Sequence, residues 1–269
     1  MKKILVPTDF SPVADNALQY AIEMAAGFKS EIYLYHIYSF DSFNYDHNFP
    51  KYDQPYTKKV WREMERTMLK FKEKITEKGL SIRTFVEEDS IFTLFKIKVV
   101  THQIDMIVMG SKGASGMTKV FFGSVAATAL DMAKVPVLIV PPEHTLHQLG
   151  NIVLAIDKND LVPDVLSPLQ KLASKFGAEV TLLNVKTDSK KSTDKMSNLN
   201  IDGVETIFRE VPMSKGINET IGQFIREEGC DLLCMIRREK GIFKSLFQKS
   251  VTKTQVFSNQ VPLLILPEV

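Results

Sequence analysis

The sequence predicts an α/β fold present twice, each copy a parallel sheet with helices on both faces. Three observations predict it. Short apolar runs of strand length alternate with longer segments of helical period. The strand runs are apolar throughout, as strands buried on both faces must be. The chain also repeats itself: residues 3–37 align without a gap onto 151–185, and 105–141 onto 231–267. In these matches Ile4-Leu-Val-Pro-Thr-Asp9 faces Ile152-Val-Leu-Ala-Ile-Asp157, and Val135-Pro-Val-Leu-Ile-Val-Pro141 faces Val261-Pro-Leu-Leu-Ile-Leu-Pro267. The offsets are 148 and 126, so the second copy is 22 residues shorter in between. A repeat of this size is a duplicated domain and not a solenoid. The polar stretch 141–150, bounded by Pro and Gly, sets expected domains of 1–142 and 150–269.

The elements follow in order. Ile4 to Pro7 reads as a short buried strand, and Ser11-Pro12 as a helix N-cap followed by proline at the first helical position. Val13, Ala17, Ala21 and Met24, flanked by Leu18, Ile22 and Ala25, form one helical face that ends near Gly27. Ile32 to Ile37 is the second strand. Val60, Met64, Met68, Phe71 and Ile75 recur at helical spacing until Gly79 stops them. Ile82 to Val86 is a strand, Ile91 to Thr101 a helix, Met106 to Met109 a strand, Ser124 to Ala133 a helix and Val137 to Val140 the last strand. In the second copy Pro163 and Pro168 fall where the first copy has an uninterrupted helix, so that helix is expected to start late or break. The missing 22 residues correspond to the Trp61 helix; the polar segment 186–198 stands in its place and reads as a loop.

Composition excludes several classes. Thirty-four basic against thirty-two acidic side chains give a formal charge of +2, too small for a nucleic-acid binder. Apolar runs stay far below the roughly 20 residues that cross a bilayer, and no signal-peptide core opens the chain. Cys230 and Cys234 supply no disulfide framework and no metal-ligand spacing; they read as small core residues. A cytoplasmic, reduced setting without membrane association is expected.

The chemistry-bearing segment follows the strand Met106–Met109, as Gly110-Ser-Lys-Gly113-Ala-Ser-Gly116-Met-Thr-Lys-Val-Phe-Phe-Gly123-Ser124. A glycine loop between a strand and a helix N-terminus suits phosphate, because backbone N–H groups approach the anion and the helix end adds partial positive charge. Ser124 is expected to cap that helix and to offer its hydroxyl to a phosphate oxygen. The segment is neither a Walker A loop nor a dinucleotide fingerprint.

Gly-x2-Gly-x9-Gly-Ser, here Gly110, Gly113, Gly123 and Ser124, resembles the ATP-binding signature of the universal stress proteins. The opening Ile-Leu-Val-Pro-Thr-Asp-Phe-Ser, the strand end Tyr-His-Ile and the closing Val-Pro-Val-Leu-Ile-Val-Pro are similar to that family too, and the likeness spans both copies. It implies tandem five-stranded parallel sheets of the adenine nucleotide alpha hydrolase type, with ATP or a related adenine nucleotide, with or without Mg2+, at the sheet's carboxyl edge. By that resemblance Asp9 holds the ribose hydroxyls, with Pro7 and Thr8 shaping the wall. Ile37 contacts adenine through its backbone, and Met109 and Gly110 lie beside base and sugar. Gly113, Gly123, Ser124 and Val125 surround the phosphates. The resemblance also implies pairing of the two copies through their last strands; a homodimer of chains and an unidentified protein partner remain open.

The second copy departs at every glycine: Ile236, Glu239 and Lys249 replace Gly110, Gly113 and Gly123, while Ser250 and Asp157 are kept. It is not expected to bind ATP in the family's manner. Its basic run, Arg237, Arg238, Lys240, Lys244, Lys249 and Lys253, reads as a solvated surface or as an anion-binding patch. His144 and His147 read as exposed linker residues, and His36 as either stacking or packing near the adenine pocket. Phe43, Tyr45, Phe49, Tyr52, Tyr56 and Trp61 form an aromatic group suited to a lid, an interface or local packing. No catalytic residues or metal ligands are indicated by spacing. The expected function is a stress-response regulator that binds ATP in its first domain and uses its second as partner and interaction surface. A scaffold that binds no nucleotide is the alternative, and a slow ATPase or self-phosphorylating protein the third.

Overall fold

The computed structural model describes residues 1–38, 55–112, 123–142, 144–146, 148–156, 162–186, 200–237 and 261–268, with the backbone alone at 55–60. Ten strands form one sheet in the order β3-β2-β1-β4-β5-β10-β9-β6-β7-β8. The first half contributes β1 (Lys3–Pro7), β2 (Glu31–Tyr38), β3 (Ile82–Glu88), β4 (Met106–Gly110) and β5 (Val137–Val140). The second contributes β6 (Asn151–Ile156), β7 (Glu179–Lys186), β8 (Thr206–Pro212), β9 (Leu232–Arg237) and β10 (Leu263–Pro267). Strands are parallel within each half. The halves meet through one antiparallel pair, with Leu263 opposite Ile139 and Ile265 opposite Val137. The two last strands thus join the copies, and the half-sheets run in opposite directions.

Helices cover both faces. One core packs α1 (Pro12–Phe28), α2 (Pro55–Glu77) and α6 (Pro163–Phe176) against side chains such as Ile4, Val6, Leu154 and Ile236. The other packs α5 (Ser124–Met132), α7 (Ile217–Glu228) and the helical run at 91–101 against Leu5, Tyr35, Met109 and Leu233. Alternate strand residues feed alternate cores, as the period-two geometry of a strand requires. The run at 91–101 is α-helical at Ile91–Thr93 (α3) and Val99–Thr101 (α4), with a π-helical segment at Leu94–Lys98 between them. That segment buries Leu94 and Phe95 together.

The duplication reaches individual hydrogen bonds. Asp105 accepts from the backbone N–H of Lys2 and of Lys3, the latter at 2.9 Å, and pins the start of β1. Asp231, its counterpart, accepts from Gly150 and Asn151 at 2.8 and 2.9 Å at the start of β6.

Most of these local expectations hold, and one is corrected. α1 ends at Phe28, near Gly27 as expected, and is capped by Lys29 in the left-handed conformation, φ 54°. A Cβ on Gly27 would make an ordinary contact with the Phe176 ring, at 3.4 Å, where α1 packs on α6. α6 starts late but does not break, with Pro163 in its first turn and Pro168 inside. His144 is half-buried and not an exposed linker residue: its carbonyl accepts from Asn16 Nδ2 at 2.9 Å and its ring lies 6.4 Å from Tyr20. Cys230 and Cys234 are buried and free, as expected of core residues. His147, the aromatic residues between Phe43 and Tyr52, the side chain of Tyr56 and all of the polar segment 186–198 except Lys186, which ends β7, lie outside the described residues.

Candidate functional site

In an open parallel sheet the crevice for a ligand forms beyond the carboxyl ends of the strands, where the strand order reverses. In the first half that point lies between β1 and β4, because β2 and β3 extend to one side and β5 to the other.

The turn leaving β1 is fully engaged. Thr8 is buried; its N–H donates to the Tyr35 carbonyl at 2.8 Å, its carbonyl accepts from His36 Nδ1 at 2.8 Å, and its hydroxyl accepts from Phe10 N–H at 3.0 Å. Asp9 Oδ1 accepts from Ser11 N–H at 3.1 Å, and Ser11 Oγ from Ala14 N–H at 3.3 Å, which caps α1 as the Ser-Pro pair predicts. Between them Phe10 takes a left-handed φ of 61°, uncommon for a bulky residue, and its ring stands 4.4 Å from His36. The result is a rigid turn that leaves Asp9 exposed at the strand edge.

His36 donates through Nδ1 to the Thr8 carbonyl, so in the neutral ring the lone pair sits on Nε2. Burial holds its pKa below the ordinary histidine value, against weaker upward pulls from the Thr8 carbonyl and Asp9. The ring packs against Phe10 in a tilted arrangement, 33° between planes, which gives it a packing role within the turn. Asp15, in the first turn of α1, is a charge that pattern reading missed. Burial raises its pKa, Lys74 lowers it, and neighbouring Asp9 raises it further.

On the other side of the switch point, β4 ends at Gly110. A Cβ there would meet Val13 Cγ1 at 2.7 Å and the Val13 carbonyl oxygen at 3.0 Å. The space above this glycine is therefore filled by the first turn of α1, a packing reason for glycine that differs from the expected backbone approach to an anion. Ser111 is fully buried; its N–H donates to Val140 O at 3.1 Å, and its carbonyl accepts from Gly123 N–H at 2.9 Å. Its Oγ has no partner among the described residues. The Gly123–Ser111 bond brings the start of α5 back to the end of β4.

The N-cap of α5 is Gly123, extended at φ −61° and ψ 159°, with no side-chain cap. Ser124 is the first helical residue and exposed, which corrects the expectation that it caps the helix. Its carbonyl accepts from Thr128 Oγ1 at 2.8 Å. An N-terminus without a capping side chain leaves first-turn N–H groups turned outward with the positive end of the helix dipole.

The structure thus gathers Pro7, Thr8, Asp9, Ile37, Met109, Gly110, Gly123, Ser124 and Val125 at one edge of the first half. Ile37 and Val125 pack on the same core, on the α5 side of the sheet. The Met109 side chain is buried in that core, leaving its backbone at the edge. Gly113 lies outside the described residues, as do Asp157, Arg238, Glu239 and Lys249 in the second half. Arg237 departs from the solvated basic surface expected of its run: it is half-buried and bonded across the halves. Sequence reading had no signal for either the Arg237 bonds or the burial of the Ser111 hydroxyl.

Fold and edge together define a doubly wound α/β protein whose candidate residues gather at its switch point. The chain belongs to the universal stress protein family, whose pattern residues 1–141 match. It is 29% identical over 141 residues to a universal stress protein of Methanocaldococcus jannaschii, covering 52% of this chain and 81% of that relative. A universal stress protein structure from Archaeoglobus fulgidus superposes with a TM-score of 0.75 at 20% identity, covering 98% of each chain. A putative universal stress protein from Pseudomonas aeruginosa gives 0.61 at 15% identity, covering 99% of this chain and 93% of the other. These two likenesses are of fold and extend over both halves. Among the described residues no helix is long and apolar enough to cross a membrane, and no group of three or more metal-ligating side chains occurs.

Proposed function

We propose that the chain is a cytoplasmic stress-response regulator that binds an adenine nucleotide, ATP with Mg2+ in the first instance, at the switch point of its first half. The observation that carries this reading is the start of α5: an N-terminus tied by Gly123 to the end of β4 beside the buried Ser111 hydroxyl, with no side-chain cap and no partner for that hydroxyl among the described residues. Those groups suit an anion. Asp9, exposed on a turn held by Thr8 and Ser11, suits two ribose hydroxyls. Adenine would lie against the Ile37 and Met109 backbone, and the phosphates against Gly113, Gly123, Ser124 and Val125. Mg2+ would neutralise phosphate charge. The chain's own residues bind and orient; the reading assigns them no turnover, and steady release of ADP would overturn that part.

The second half acts in this reading as partner and interaction surface. One observation favours the alternative of a scaffold without nucleotide: Val13 occupies the space over Gly110, which accounts for that glycine with no ligand at all. The two readings separate on Asp9→Ala. Loss of charge-assisted bonds to the ribose should weaken ATP and adenosine about tenfold to a hundredfold by calorimetry, with an unchanged circular dichroism spectrum. Equal affinity in variant and parent would remove the ribose assignment.

A further inference from the structure

Arg237 ends β9 in the second half and reaches into the first. Its Nη1 donates to the carbonyl of Leu130 and its Nη2 to that of Ala133 at 2.7 Å, both at the carboxyl end of α5. This helix is closed differently from α1, α6 and α7, which end on left-handed residues Lys29, Gly177 and Gly229. Its C-cap, Ala133, is extended at φ −65° and ψ 134°, so the backbone does not curl round to satisfy the last carbonyls. A guanidinium from the other half satisfies two of them, with its charge at the negative end of the helix dipole.

The topology explains why this arm exists. Because β5 and β10 pair antiparallel, the carboxyl edge of the second half lies on the same side as the carboxyl end of α5. The amino end of α5 stands at the opposite edge, at the switch point of the first half. Nine residues separate the two, about 13 Å of helix. By the repeat, Arg237 occupies the position of Ser111, so the residue that lies beneath the start of α5 in one half braces its end from the other. A nine-residue helix is marginal without tertiary support, so its first turn depends on how its last turn is held.

We infer that Arg237 is a positioning residue for the nucleotide site: by capping α5 from the second half, it keeps the helix formed and seated so that its first-turn N–H groups face the phosphates. The inference rests on the nucleotide reading above. It gives the second half a defined role, since the strand edge that has lost its glycines holds the phosphate helix of its neighbour.

The test uses the full chain with Arg237→Ala and Arg237→Lys, titrated calorimetrically with Mg-ATP and with adenosine. Arg237→Ala should weaken ATP about fivefold to thirtyfold and adenosine less than twofold, because only the phosphate side depends on α5. Arg237→Lys should fall between, since an ammonium does not reproduce the two-pronged donor. Amide exchange along α5 should speed up in the alanine variant without any nucleotide. Unchanged ATP affinity, or equal loss of ATP and adenosine with a lower melting temperature, would overturn the inference; the latter marks a merely structural residue. If the parent chain binds no nucleotide, the underlying reading fails instead, and exchange alone decides the capping: unaltered α5 protection refutes it. Should Arg237→Ala not fold, Arg237→Lys and Arg237→Gln carry the same comparison.

Discussion

The two halves place different residues at one position, and the helix above differs with them. In the first half Gly110 lets the opening turn of α1 rest on the strand, with Val13 where a side chain would stand. In the second half the matching Ile236 is 1% exposed, part of the core beneath α6. α6 begins at Pro163, three residues later in the repeat than α1 begins at Pro12. Glycine and early helix start go together, as do isoleucine and late start. The lesson is that the loss of a motif glycine in the second half is one part of a rebuilt edge, and that the glycine in the first half has a packing duty independent of any ligand.

Swapping the two residues should break both halves. Ile236→Gly leaves a cavity and a loose strand end, and is expected to cost about 4 kcal/mol in urea melts. Gly110→Ile drives a branched side chain into the Val13 backbone, and is expected to cost about 3 kcal/mol. If either half tolerates its partner's residue within about 0.5 kcal/mol, helix start and strand residue are not coupled.

The amino ends of the same two helices sharpen the comparison. Ser11 caps α1, whereas Val162 at the N-cap of α6 makes no side-chain bond and is 46% exposed. Ser11→Ala should cost about 1 kcal/mol, and Val162→Ser should gain about 0.5–1 kcal/mol. Equal and negligible effects would mean that tertiary packing alone sets both helix starts.

A smaller effect concerns His36, for which the second half has Asn184. Its folded pKa lies below the ordinary value of 6.5. The unfolded chain therefore takes up the proton first as pH falls, so stability is complete above about pH 6.5 and declines below it until the folded ring protonates. His36→Asn removes this titration, and its melting temperature should fall less than the parent's between pH 7 and 5.5. His102 shifts in the same direction, but both proteins carry it, so it cancels in the difference. A parallel pH course in the two would show that His36 titrates alike folded and unfolded.

Much of the fold was legible because its signals are local. Ser11-Pro12 announces α1, and the matched Val-Pro strands announce where the copies join, as the Leu264 and Leu138 pairing bears out. What sequence reading missed depends on contacts between distant residues. Asp105 and Asp231 look like ordinary surface carboxylates until the chain returns its amino ends to them. Lys29 gives no hint of a left-handed cap, whereas Gly177 at the same repeat position does. The edge residues of the candidate site were found through a motif, but the reason for Gly110 was visible only once Val13 lay above it. Arg237 read as one charge in a basic run, and its bonds cross from one half to the other.

The most direct measurement is a calorimetric titration of the purified, nucleotide-stripped chain with Mg-ATP. The account predicts one site per chain, weakened about tenfold to a hundredfold in Asp9→Ala. Two sites per chain, or none, would contradict it.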